Sequence, residues 1–172
     1  MKEENCTKAI TAYIGFGANL GDAKETILEA ARQLGSARGV CECRLSSFYR
    51  TAPVDAEGPD FTNAVARIVT CLPPEKLLET TQAIENALGR VRPAGVHNAP
   101  RTIDLDIELY GDRAISEPPR LVVPHPRMHE RAFVLVPLTE LDPEAVIPGR
   151  GRAADFLASV ADQRLEKLPG DA

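Results

Sequence analysis

Two aspartates, Asp104 and Asp106 in the segment Arg101-Thr-Ile-Asp-Leu-Asp106, are the residues best spaced to do chemistry together. They alternate with Ile103, Leu105 and Ile107. On a strand, both carboxylates therefore point to one side while the apolar partners face a core. Their backbones would then lie about 6.5 to 7 Å apart. Adjacent carboxylates repel, which raises at least one pKa unless a cation lies between them. A hard divalent ion with oxygen ligands, Mg2+ first, resolves that repulsion and keeps positions for substrate phosphates. An exposed acidic strand face without a ligand fits the same spacing. Arg90, Arg92 and Arg101 flank the pair in sequence, and guanidinium groups beside metal-bearing carboxylates suit the neutralisation of a triphosphate. Ordinary salt bridges are the plainer use of those arginines.

Other motifs offer less. Gly15-Phe-Gly17-Ala-Asn-Leu-Gly21 lacks the dinucleotide fingerprint, and no P-loop sequence occurs, so these glycines are expected to serve turn geometry. His125 and His129 have helical spacing, but Pro124 and Pro126 argue against a regular helix there. A phosphate hydrogen bond from His125 is more credible than a zinc pair. No Ser or Cys stands in a nucleophile setting.

These groups need elements to position them. Ile10 to Phe16 reads as a strand, followed by a helix with Asp22 as N-cap and Ile27, Ala30, Ala31 and Leu34 as its apolar stripe. Val40 to Tyr49 reads as a second strand, and Phe61 to Cys71 as a third after the loop 51–60. Pro73-Pro74 open a second helix lined by Leu77, Leu78, Thr81, Ile84 and Leu88 and stopped at Gly89. Residues 90–100 read as a loop, Thr102 to Tyr110 as the clearest strand, and Met128 to Leu138 and Arg152 to Val160 as weaker helices. The order strand-helix-strand-strand-helix-strand predicts an α+β ferredoxin-like sandwich. Its sheet would be mainly antiparallel, with helices packed on one face and the other face left for ligands and extra C-terminal elements. Length and the lack of a linker predict one domain over residues 1–172.

A formal net charge of -5 argues against a sequence-independent nucleic-acid binder. No apolar run is long enough to cross a bilayer, and the charged start Met1-Lys2-Glu3-Glu4 is unlike a signal peptide. Cys6 and Cys71 stand alone, and Cys41 and Cys43 share a strand face and are poorly placed to bridge each other. Reduced thiols in a cytoplasmic protein are the expectation.

Taken together, six segments resemble the 6-hydroxymethyl-7,8-dihydropterin pyrophosphokinase family over nearly the whole chain. They are Tyr13-Ile-Gly-Phe-Gly-Ala-Asn-Leu-Gly21, Ser46-Ser-Phe-Tyr-Arg-Thr-Ala-Pro53, Asp60-Phe-Thr-Asn63, Gly89-Arg-Val-Arg92, Pro100-Arg-Thr-Ile-Asp-Leu-Asp-Ile107, and Val123-Pro-His125 with Arg131-Ala-Phe133. The resemblance implies transfer of pyrophosphate from ATP to the pterin hydroxymethyl group, with release of AMP, in folate biosynthesis. It implies that Asp104 and Asp106 hold two Mg2+ ions and that Arg90 and Arg92 lie in a catalytic loop with Arg101 nearby. Asn63 would bind the pterin by its side chain, and Thr51, Ala52, Pro53 and Val54 by a backbone loop. Phe61 and Phe133 would sandwich the ring, Phe61 standing where many relatives have Tyr. ATP would meet Gln82, Glu85, Arg92, Arg101, Ile107, Arg120, His125 and Arg131. The loop between Arg92 and Pro100 departs from familiar members in being longer and free of tryptophan, and Pro126 replaces a frequent Tyr.

The expected partners are the two small substrates, with no nucleic acid and no membrane. Protein partners are not legible. Two rival readings are a nucleotidyltransferase, which also uses same-face aspartates but releases pyrophosphate, and a ferredoxin-like binding module without turnover.

Overall fold

In a computed structural model of the chain, residues 9–19, 22–52, 60–89 and 103–169 are described. Strand β1 (Ile10–Ala18) is followed by helix α1 (Ala23–Gly35), β2 (Val40–Leu45), β3 (Tyr49–Thr51), β4 (Phe61–Thr70), α2 (Pro74–Gly89) and β5 (Asp104–Tyr110). The sheet runs β3-β4-β1-β5, with β2 pairing the far half of β4 alongside β3. Every one of these pairs is antiparallel. This is the α+β ferredoxin-like arrangement expected from the order of elements.

Asp22 caps α1 as expected, its carboxylate accepting from the Glu25 amide at 3.2 Å. The apolar stripes of α1 and α2 pack with Ile14, Phe16, Leu105 and Ile107 as one core on one face of the sheet. A second core occupies part of the other face, where Tyr13, Val65 and Leu109 meet Leu135 and Leu138.

The C-terminal third first adds β6 (Ile115–Glu117) and β7 (Leu121–Val123), whose Ile115, Leu121 and Val123 join the helix-side core. It then supplies the second layer with a 3-10 turn at Met128–Glu130, α3 (Ala132–Leu141), and the short pair β8 (Val146–Ile147) and β9 (Gly151–Arg152), before β10 (Leu165–Lys167). Strand β10 returns to the main sheet beside β3. The helix expected from Met128 to Leu138 is broken at Arg131, whose backbone is extended (φ -122, ψ 110). Two 3-10 turns, Ala153–Phe156 and Ala158–Val160, replace the helix expected over Arg152 to Val160.

The single strand expected from Val40 to Tyr49 is two strands. Leu45 pairs with Ala66 and Tyr49 with Asn63, so three residues span the space opposite two. Ser46 closes the gap: its amide donates to the Val65 carbonyl, and its hydroxyl accepts from the Val65 amide at 3.0 Å. Cys41 and Cys43 are outside any disulfide, as expected, but Cys71 is disulfide-bonded, which corrects the expectation of reduced thiols throughout.

Candidate active site

A cavity of about 650 Å³ opens on the sheet face opposite α1 and α2. Its floor is made by β1 and β5. Gly17 pairs with Asp104 and Gly15 with Asp106, so each aspartate stands across from a residue with no side chain. Both aspartates are exposed, and Leu105 and Ile107 between them are buried in the helix-side core. The alternation read from the sequence therefore sets both carboxylates on one face, as expected.

A third carboxylate follows. The β1–β5 register slips between Tyr13 and Ile14, leaving Glu108 as an extra residue in β5. Glu108 is buried, lines the cavity and would collide with any Cβ at Gly15. Burial holds its carboxyl well above the usual carboxylate range; the nearby Asp106 charge adds to this and Arg131 opposes it. Its Oε1 has no hydrogen-bond partner among the described residues. Glu108 follows the motif on the same alternating face as the two aspartates, and the register slip seats it, buried, above Gly15.

One wall comes from β3 and β4. Asn63 is buried, and its Nδ2 donates to the Thr51 hydroxyl at 2.8 Å. A Cβ at Gly17 would lie 2.9 Å from Asn63 Oδ1, so the glycine makes room for the amide. Ala52 and Phe61 complete this wall. The facing wall carries Arg127, Glu130, Arg131, Phe133 and Val134 from the 3-10 turn and the start of α3. The Arg131 guanidinium lies 5.5 Å from the Phe133 ring centroid, within cation–π range. Gln163 also lines the cavity. Nothing in the sequence marks Gln163, because its partners lie 31 and 33 residues away.

The described residues expected at the pterin and the metals thus converge, joined by Arg131, which was expected at ATP. Thr51, Ala52, Phe61, Asn63, Phe133, Asp104, Asp106 and Arg131 all line one cavity. Gln82, Glu85, Ile107, Arg120 and His125 do not line it. Glu85 accepts from the Leu105 amide at 2.7 Å on the outer edge of β5, between the two aspartates. Ile107 is buried in the helix-side core, Gln82 is exposed on α2, and Arg120 pairs with Glu75 at 3.3 Å. His125 donates its amide to the Glu108 carbonyl, and its Nδ1 accepts from the Arg127 amide at 3.2 Å. Burial and then the Arg131 and Arg127 charges push its pKa down to about 4, which keeps the ring neutral with Nε2 as its N–H. Arg90, Arg92, Arg101, Pro53 and Val54 lie outside the described residues.

The donor set fits Mg2+. No group of three His, Cys, Asp or Glu that could hold a metal exists among the described residues. Mg2+ is commonly held by one or two carboxylates, with water and substrate phosphate filling the remaining positions. Two exposed aspartates facing glycines leave room for those additional ligands.

The family model for 7,8-dihydro-6-hydroxymethylpterin-pyrophosphokinase (HPPK) matches residues 13–143, and so spans most of the sheet and the cavity. The chain belongs to this family. A Haemophilus influenzae HPPK, 2-amino-4-hydroxy-6-hydroxymethyldihydropteridine pyrophosphokinase, is 41% identical over 160 residues, covering 92% of this chain and 98% of its own. The Bacillus subtilis protein of the same name is 47% identical over 131 residues, covering 76% of this chain and 77% of its own. Among solved structures, an HPPK-DHPS in complex with substrates superposes with a TM-score of 0.70 at 14% identity. The match covers 89% of this chain and 43% of that one, so this chain spans under half the length of that protein. At that identity the likeness concerns the fold. Among the described residues, no helix is long and apolar enough to cross a membrane.

Proposed function

We propose that this chain transfers a pyrophosphoryl group from ATP to the hydroxymethyl oxygen of 6-hydroxymethyl-7,8-dihydropterin in folate biosynthesis. The O–Pβ bond forms as the bond from Pβ to the bridging oxygen breaks; AMP leaves with that oxygen and the electron pair, and the alcohol proton passes to solvent or phosphate. One observation carries this reading. The same-face aspartates share a cavity with a buried amide and two aromatic rings, so groups suited to phosphate and to a flat heterocycle meet in one place.

In this reading Asn63 hydrogen-bonds the pterin, with Thr51 holding its amide in plane. Phe61 and Phe133 stack on the ring, and Ala52, Pro53 and Val54 bound its edge. Asp104 and Asp106 hold two Mg2+ ions. When bound, Mg2+ supplies charge neutralisation for the triphosphate and acidifies the attacking alcohol. Arg131, with Arg90, Arg92 and Arg101, offsets charge that builds on the transferred group. Gln82, Glu85, Ile107, Arg120 and His125 serve the nucleotide from around β5 and α2, where neutral His125 donates from Nε2. In-line positioning in a partly enclosed cavity provides the rest of the rate. Residues 1–172 act as one domain, located in the cytoplasm in this proposal.

Nucleotide analysis after incubation with ATP, Mg2+ and the pterin alcohol tests the reading. AMP formed only when pterin and metal are both present is the expected result. Free pyrophosphate would move the chain to the nucleotidyltransferases, and ADP to simple kinases.

A further inference from the structure

We infer that Gln163 is a positioning residue that sets the Arg131–Phe133 wall of the cavity, an inference that rests on the pterin reading above. The local geometry makes the need plain. Arg131 is extended between the 3-10 turn and α3, and its side chain makes no capping hydrogen bond to the helix it precedes. As the first amide of α3, Ala132 has no acceptor within the helix and needs one from outside it.

Gln163 supplies one. Its Oε1 accepts from the Ala132 amide at 2.9 Å, and its Nε2 donates to the Glu130 carbonyl at 2.8 Å. One planar side-chain amide thus grips the backbone on both sides of Arg131. An amide suits this position because it offers a donor and an acceptor together, which an ionised carboxylate or a thioether does not. The grip restrains Arg131 in its extended conformation. Arg131 and Phe133, the second residue of the helix, line the cavity from that fixed point.

The opposite wall is tied to the same segment. Two residues after Gln163, Leu165 pairs with Thr51 in the β10–β3 ladder. Thr51 in turn receives the Asn63 amide. The stretch from Gln163 to Leu165 therefore bridges the two walls that would sandwich the pterin, and it fixes their separation. This gives the C-terminal segment a part in substrate recognition as well as in stability.

The test compares Gln163→Met, which keeps length and loses both hydrogen bonds, with Val160→Ala. Val160 is buried in the second core of the same terminal segment and does not line the cavity. Pterin binding is followed by the ligand's own fluorescence, and thermal stability by melting temperature. The expected result is a rise of about tenfold in the pterin Kd of Gln163→Met, with a fall in kcat, roughly the effect of one lost hydrogen bond to an ordered partner. Val160→Ala should lose as much stability or more while its pterin Kd stays within about twofold of wild type. Gln163→Glu, which keeps only the acceptor, should fall between wild type and Gln163→Met. Equal pterin affinity in wild type and Gln163→Met overturns the inference alone, as does an equal loss of affinity in Val160→Ala. Wild-type protein that binds no pterin overturns the functional reading and this inference with it.

Discussion

Replacing Gly17 by alanine perturbs the pterin wall by a single methyl group. The new Cβ would lie 2.9 Å from Asn63 Oδ1 and 3.9 Å from a Phe61 ring carbon, where ordinary contact begins at 3.4 Å. Asn63 must therefore withdraw by about half an ångström. It cannot do so freely, because it is buried and its Nδ2 is engaged with Thr51 at 2.8 Å. Crowding of this kind costs about 1–3 kcal/mol, while alanine in place of a strand glycine returns about 0.5–1 kcal/mol. The net loss of stability should be about 0–2.5 kcal/mol, small enough for the variant to fold. The effect on recognition should be more specific. A displaced Asn63 loses about one good hydrogen bond to the pterin, which corresponds to a roughly tenfold weaker Kd. Titration calorimetry with the pterin and, separately, with a non-hydrolysable ATP analogue measures both. Pterin affinity should fall about tenfold and nucleotide affinity should change by less than about twofold. Unchanged pterin affinity in Gly17→Ala would refute the claim that Asn63 reads the pterin from this position.

Three further outcomes follow from the same geometry. Asp106→Asn should lower turnover by a factor on the order of a thousand, with unfolding free energy within about 0.5 kcal/mol of wild type because the side chain is exposed; steady-state kinetics and urea unfolding measure the two. Tyr49→Phe should cost about 1–2 kcal/mol in urea unfolding, since the Tyr49 hydroxyl donates at 2.6 Å to a Glu140 carboxylate that also accepts from Ser47. His125 has a folded pKa near 4 against an ordinary 6.5. As pH falls through that window the unfolded chain gains a proton that the folded chain resists, and the folded state loses stability. His125→Gln should therefore lose less stability than wild type between pH 7 and pH 5, as read from urea midpoints, and an equal loss in both would contradict this.

The fold was legible where periodicity was strong. Ile103, Leu105 and Ile107 marked β5 and its buried face, and the stripe from Ile27 to Leu34 marked α1. Two kinds of feature escaped. Breaks such as Ser46–Phe48 and Arg131 depend on side chain to backbone hydrogen bonds with distant partners, Val65 and Gln163, which local pattern does not encode. Glu108 shows the second kind. Strict alternation extends the acidic face to it, but its burial and its fit above Gly15 depend on a register slip against β1. The cavity residues were legible mainly through short motifs, because Thr51, Asn63, Asp106 and Phe133 come from four elements that only the tertiary fold brings together.

The direct test of the central claim follows the label from ATP carrying 32P at the α or the γ position, with the pterin alcohol and Mg2+ present. Pyrophosphoryl transfer predicts that γ label appears in the pterin product and α label stays entirely in AMP. Label from the α position in the pterin, with γ label released as pyrophosphate, would show attack at the wrong phosphorus and contradict the account.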